Sequence, residues 1–181
     1  GFGSLADDTY GVVVDSKTFG ANPALWAEQP RGAAGALQGA GFLGAAGALY
    51  GGRNATVSDN ASAAPASLAT AEHVTRVVVS GANVTGVDSA FSYNVVVNVD
   101  GDTSDDDGGG TARHSQGTLD QFILNANNIA GANAMRFVPA VAANQASGGD
   151  TWWRIGVTSL LPQITGADTT IDGTAYSSAD G

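Results

Sequence analysis

The apolar pattern along this chain leaves a period of two for one helical stretch and then returns to it. In residues 1–20, Tyr10, Val12 and Val14 alternate with smaller residues through Phe19, after a turn at Asp7-Asp8. That alternation predicts a strand, which Asn22-Pro23 ends. Residues 75–80 (TRVVVS) predict a second strand, followed by a turn at Gly81-Ala82-Asn83. Within 84–99, the runs Phe91-Ser92-Tyr93 and Val95-Val96-Val97 predict another long strand or hairpin arm. The period of two then gives way. Leu119, Phe122, Ile123 and Ala126 stand at i, i+3, i+4 and i+7, one face of a helix spanning residues 117–129. Ser115 or Thr118 offers its N-cap, Asp120 complements the first turn, and Gly131 supplies a stop. Strands return at 135–138, at 152–157, and at 169–171 up to Asp172-Gly173, with Leu160-Leu161-Pro162 turning into Ile164. Short strands set between turns after a single helix predict stacking coils for this C-terminal part.

Two stretches carry no such period. Residues 25–52 read as a Gly/Ala-rich loop region and 54–71 as polar loop. Gly32 to Gly52 is uncharged and could be taken for a membrane span, but it holds eight Gly and seven Ala. Each Gly costs a helix roughly 1 kcal/mol, and Gly and Ala bring little lipid affinity. A loop is the better reading.

Composition narrows the function classes. The chain has 181 residues, 26 of them Gly, and is 43% hydrophobic, which argues for a folded, turn-rich β protein rather than disorder. Fifteen Asp and two Glu against six Arg and Lys17 give a net charge of -10. Such a chain repels phosphate backbones and anionic membranes and favours divalent cations as small partners. No cysteine is present, so disulfides, thiolate metal sites and cysteine nucleophiles are excluded. Gly1-Phe2-Gly3-Ser4 is not the n-region of a signal peptide, so an exported chain is expected to carry its signal upstream.

The candidate chemistry is sparse. Asp100, Asp102, Ser104 and Asp106 alternate as in the first half of a calcium loop. An EF-hand wants Gly at the sixth position and Glu at the twelfth, where Asp105 and Thr111 stand, so that motif is rejected. An irregular calcium site and a solvated acidic linker both stay open, and charge runs are more often solvated. Gly39-Ala40-Gly41-Phe42-Leu43-Gly44 matches the dinucleotide fingerprint with Asp59 downstream, but no apolar strand precedes it, so a match by chance is the better reading. His73 and His114 lack ligand spacing. Trp152-Trp153 could stack a sugar, although alternation would turn one of the pair inward as core. The carboxylate pair of a glycoside hydrolase could come only from Asp168 and Asp172, both read as turn residues. Asn54, Asn60 and Asn83 open N-x-[ST] sequons, which matter only in a source that glycosylates.

The run SQGTLDQFILNANNIAG, then MRFVP, then LLPQITGADTTIDGT, resembles bacterial surface proteins that carry the CSLREAI motif. In that family such a pattern opens a right-handed parallel β-helix. The preceding VSGANVTGVDSAFSYNVVVNVDGD resembles the segment that joins a small β-sandwich to that helix. The opening SLADDTYGVVVDSKTF resembles the last strands of the B-type sandwich domains of serine–aspartate repeat adhesins. Asp120 departs from the family, which has Arg there, and removes any ion pair that Arg would make. The resemblance implies a surface location and a structural or adhesive role.

The expectation is therefore a mainly β chain. A sandwich-like domain at 1–99 holds the Gly/Ala-rich insertion, 100–114 forms an acidic connector, and 115–181 supplies a capping helix and the first β-helix coils. The expected function is a non-enzymatic extracellular structural protein, a self-assembling subunit of a cell-surface fibre or layer that forms a homo-oligomer or a head-to-tail polymer. The alternative is an adhesin or carbohydrate-binding fragment. Calcium is the candidate cofactor; neither nucleic acid nor a membrane span is expected, and glycan contact is the other candidate interaction.

Overall fold

A computed structural model describes residues 1–14, 25–31, 74–96, 117–137, 143–157 and 160–175. Among these the fold is mainly β with one short helix. In chain order the elements are β1 (Asp8–Val13), β2 (Glu28–Arg31), β3 (Val74–Val79), β4 (Ala90–Ser92), β5 (Val95–Val96), α1 (Leu119–Asn128), β6 (Asn133–Phe137), β7 (Gln145–Ser147), β8 (Asp150–Trp152) and β9 (Thr169–Ala175).

β1 and β3 pair antiparallel with Tyr10 opposite Val77 and Val12 opposite Thr75. Alternation places Tyr10, Val12, Val77 and Val79 on one face, where with Phe2 and Val84 they line an open groove of about 880 Å³. The expected turn at Asp7-Asp8 is half right. Asp8 already belongs to β1, and Asp7 works across space, its Oδ1 accepting from the Gly81 amide at 2.8 Å. Gly81 sits at φ +66, in the left-handed region that glycine adopts without strain.

Residues 25–31 correct the expectation of a loop. Trp26, Ala27, Glu28 and Gln29 are buried, and β2 pairs antiparallel with β4. The register shifts between Glu28 and Arg31, so a bulge holds Pro30, which has no amide to give a ladder. The single strand or arm expected over 84–99 is also corrected. Residues 83–89 have no regular structure, and β4 and β5 are separate short strands.

The β5–β6–β9 sheet is parallel throughout, with Val96 beside Phe137 and Met135 beside Ile171. A parallel pair needs a crossover between its strands. α1 lies in the first crossover and the β7–β8 hairpin in the second. Met135 to Phe137 on β6 faces Ile171 to Ala175 on β9, so β9 bulges around Asp172-Gly173 instead of ending there as expected. Arg136 closes the bulge by an ion pair of 3.0 Å with Asp172.

The helix forms as its pattern predicts. Thr118 is the N-cap, its Oγ1 accepting from the Gln121 amide at 3.1 Å, and Asp120 lies in the first turn. At the other end the Asn133 side-chain amide donates to the carbonyls of Ile129 and Gly131 at 3.1 and 3.0 Å. Phe122, Ile123 and Ala126 pack with Val96 of β5 and Met135 of β6 into a buried core, flanked by Leu119, Phe137, Ile155 and Leu161. α1 is too short to cross a membrane, and no described helix is long and apolar enough to do so.

Candidate functional site

Two arrangements of polar side chains stand out, and amide residues build both. The first is the junction between α1 and the strands that precede it. Asn125 is only 2% exposed. Its Oδ1 accepts from the Trp26 amide at 3.1 Å and from Gln121 Nε2 at 3.1 Å. Its Nδ2 donates to the carbonyls of Trp26 at 2.9 Å and Tyr93 at 3.0 Å. One side chain thus satisfies both backbone groups of Trp26, as a neighbouring strand would. Asn127, on the next part of the helix surface, does the same for the loop before β9. Its Oδ1 accepts from the amides of Thr165 and Gly166 at 2.7 and 2.9 Å, and its Nδ2 donates to the Gln163 carbonyl at 2.9 Å.

That loop lies so close to α1 that Gly166 has no room for a side chain. A Cβ there would stand 2.5 Å from the Ala126 carbonyl oxygen. Gly166→Ala is expected to cost about 1–3 kcal/mol, since backbone on both sides must move to admit the methyl group. A thermal melt measures it, and a melt unchanged from wild type would show that the loop has slack.

The second arrangement is the β7–β8 hairpin. Gln145 pairs with Trp152, Ala146 with Thr151 and Ser147 with Asp150. Gly148 and Gly149 make the turn at φ +62 and +97, positive at both positions as a mirror-image two-residue turn requires. Beyond the last backbone pair, Asn144 extends the ladder with its side chain. Its Nδ2 donates to the Arg154 carbonyl at 2.9 Å, and its Oδ1 accepts from the Arg154 amide at 2.7 Å. The strand expected at 152–157 is corrected here: β8 ends at Trp152 and residues 153–157 are irregular. Trp152 is exposed and Trp153, just past the end of β8, is half-buried and not among the buried core residues.

The other candidate residues fall as follows. Asp100, Asp102, Ser104 and Asp106 lie outside the described residues, as do His73, His114, Asn54, Asn60 and the glycine run around Gly39. Among the described residues no three His, Asp or Glu gather closely enough to hold a metal ion. Asp168 is a turn residue at φ +56. Asp172 is not a turn residue as expected but part of β9, paired with Arg136. Asn83 is exposed in the segment after β3.

The helix pattern marks the apolar face and passes over Gln121 and Asn125, which form a second buried face. Their i, i+4 spacing within an apolar run is the signal that points to them. Asn127 and Asn144 carry no comparable signal, because their partners are backbone atoms 36 to 39 and 10 residues away. No protein-family model matches this chain, and neither a curated protein nor a solved structure matches it.

Proposed function

We propose that this chain is a non-enzymatic extracellular structural protein, a self-assembling subunit of a cell-surface fibre or layer. In this reading the β1–β3 ribbon belongs to a sandwich-like N-terminal domain. The β5–β6–β9 sheet is the start of a right-handed parallel β-helix, with α1 as its cap. The observation that carries the reading is the outer edge of β9. Among the described residues β9 is the last strand of its parallel sheet, and Ile171 on it is 48% exposed. A parallel sheet whose last described rung exposes an apolar side chain invites another strand to add to it. Leu160, at 97% exposure, and Ile164 widen the apolar surface of the segment leading into β9. The β1–β3 ribbon has only two strands among the described residues, and such a ribbon is marginal without a neighbour. The two surfaces differ, so a contact between them runs head to tail, and an unclosed head-to-tail contact makes a filament.

Light scattering and electron microscopy of the chain at rising concentration test this. Filaments or growing particles are expected, and Ile171→Lys, a charge on the strand edge, should suppress them while the melt is preserved. A wild-type chain that stays a monodisperse monomer at high concentration overturns the reading. One observation favours the second reading, an adhesin or carbohydrate-binding fragment: Trp152 presents 42% of its surface to solvent on the β7–β8 hairpin.

A further inference from the structure

We propose that one face of the β7–β8 hairpin is a contact site for a neutral glycan chain, centred on Trp152. The proposal rests on the carbohydrate-binding reading and names its site. The register settles what shares the face. Gln145 lies directly across from Trp152, and Ser147 and Asp150 follow as the next pair on the same side, while Ala146 and Thr151 occupy the opposite face. One exposed indole is therefore edged by an amide, a hydroxyl and a carboxylate.

That set fits a pyranose ring. The C–H face of the sugar is apolar and stacks on an aromatic ring, and its equatorial hydroxyls need donors and acceptors around the rim. Gln145 Nε2 already donates to the Asn144 carbonyl at 2.7 Å, which holds the amide in place and leaves its oxygen as an acceptor. Asp150 adds two acceptor oxygens, and Ser147 donates or accepts. A protein partner would favour a continuous apolar patch, whereas here a lone aromatic stands among hydrogen-bonding groups. Asp150 and the net charge of -10 turn away acidic sugars and phosphates, which selects neutral chains.

The face is also set before any ligand arrives. The Gly148-Gly149 turn closes one end of the hairpin, and the Asn144 clamp on the Arg154 backbone closes the other, directly beyond the Gln145–Trp152 pair. A stiff platform loses little freedom on binding, which suits weak, repeated contacts along a polymer.

The test is a titration of the full chain with cellohexaose, laminarihexaose, N-acetylchitohexaose, maltohexaose and mannohexaose, each to millimolar concentration. Binding is read by tryptophan fluorescence and by the indole N–H resonances of the three tryptophans. At least one sugar should shift the Trp152 resonance and leave that of the buried Trp26 in place. Trp152→Ala and Gln145→Ala, both on the hairpin surface, should keep the thermal melt and weaken binding about tenfold or more. A sugar that binds equally well to Trp152→Ala, with the wild-type Trp152 resonance unmoved, overturns this site and leaves the carbohydrate-binding reading intact. If no sugar of the panel binds, the site and that reading fall together.

Discussion

Asn125→Leu is expected to bring the chain close to unfolding, although the two side chains are nearly equal in size. Leucine removes partners from the Trp26 amide, the Trp26 carbonyl and the Tyr93 carbonyl, and from the Gln121 side chain. A buried polar group left without a partner costs about 1–3 kcal/mol, so three backbone groups cost roughly 3–6 kcal/mol after partial relaxation. A domain has only about 5–15 kcal/mol in total. Urea denaturation is the measurement, with the midpoint falling and the slope held. Asn125→Asp separates hydrogen bonding from packing. It keeps an acceptor for Trp26 N–H but cannot donate, so a carboxylate would face the two carbonyl oxygens at Trp26 and Tyr93. It should be at least as damaging as leucine. If either variant costs less than about 1 kcal/mol, Asn125 does not hold the junction.

Phe122→Asp should abolish the fold around the helix while sparing the β1–β3 ribbon. Phe122 is 1% exposed and lies in one cluster with Ile123, Ala126, Val96 and Met135. Truncation to alanine alone would cost about 3–5 kcal/mol, and an unpaired charge in that seam adds several more. Hydrogen exchange gives the regional answer. Amides of α1, β5 and β6 should lose protection together, since the cluster joins those three elements, and the residues clamped by Asn125 should follow. Amides of the β1–β3 ladder, which among the described residues pair only with each other, should keep theirs. Uniform loss across both regions would show one cooperative unit, and retained protection in α1 would show that Phe122 is not a core residue.

The two predictions concern adjoining faces of one helix, and they divide what is legible in the chain from what is not. The apolar face was readable. Leu119, Phe122, Ile123 and Ala126 recur at helical spacing, Thr118 and Asp120 mark the start and Gly131 the stop, and the helix forms at 119–128. β1 and β3 were readable because alternating and β-branched residues are bounded by turn residues. In each case the signal is local, since one element's own period states which side is apolar.

What tertiary structure decided was every pairing that joins distant residues through polar groups. The segment EQPR has no alternation and contains Pro30, so nothing local marks β2 as a strand. It becomes one because β4 pairs with it, while Asn125, 99 residues away from Trp26, satisfies the adjoining backbone where burial excludes water as a partner. β9 runs through Asp172-Gly173, usually a stopping signal, because the bulge and the Arg136 ion pair give those residues a place in the ladder. Gly166 needs to be glycine only because the Ala126 carbonyl approaches it. An apolar period is written into consecutive residues. The partner of an amide is whichever backbone the fold brings within about 3 Å, and only the assembled chain determines that.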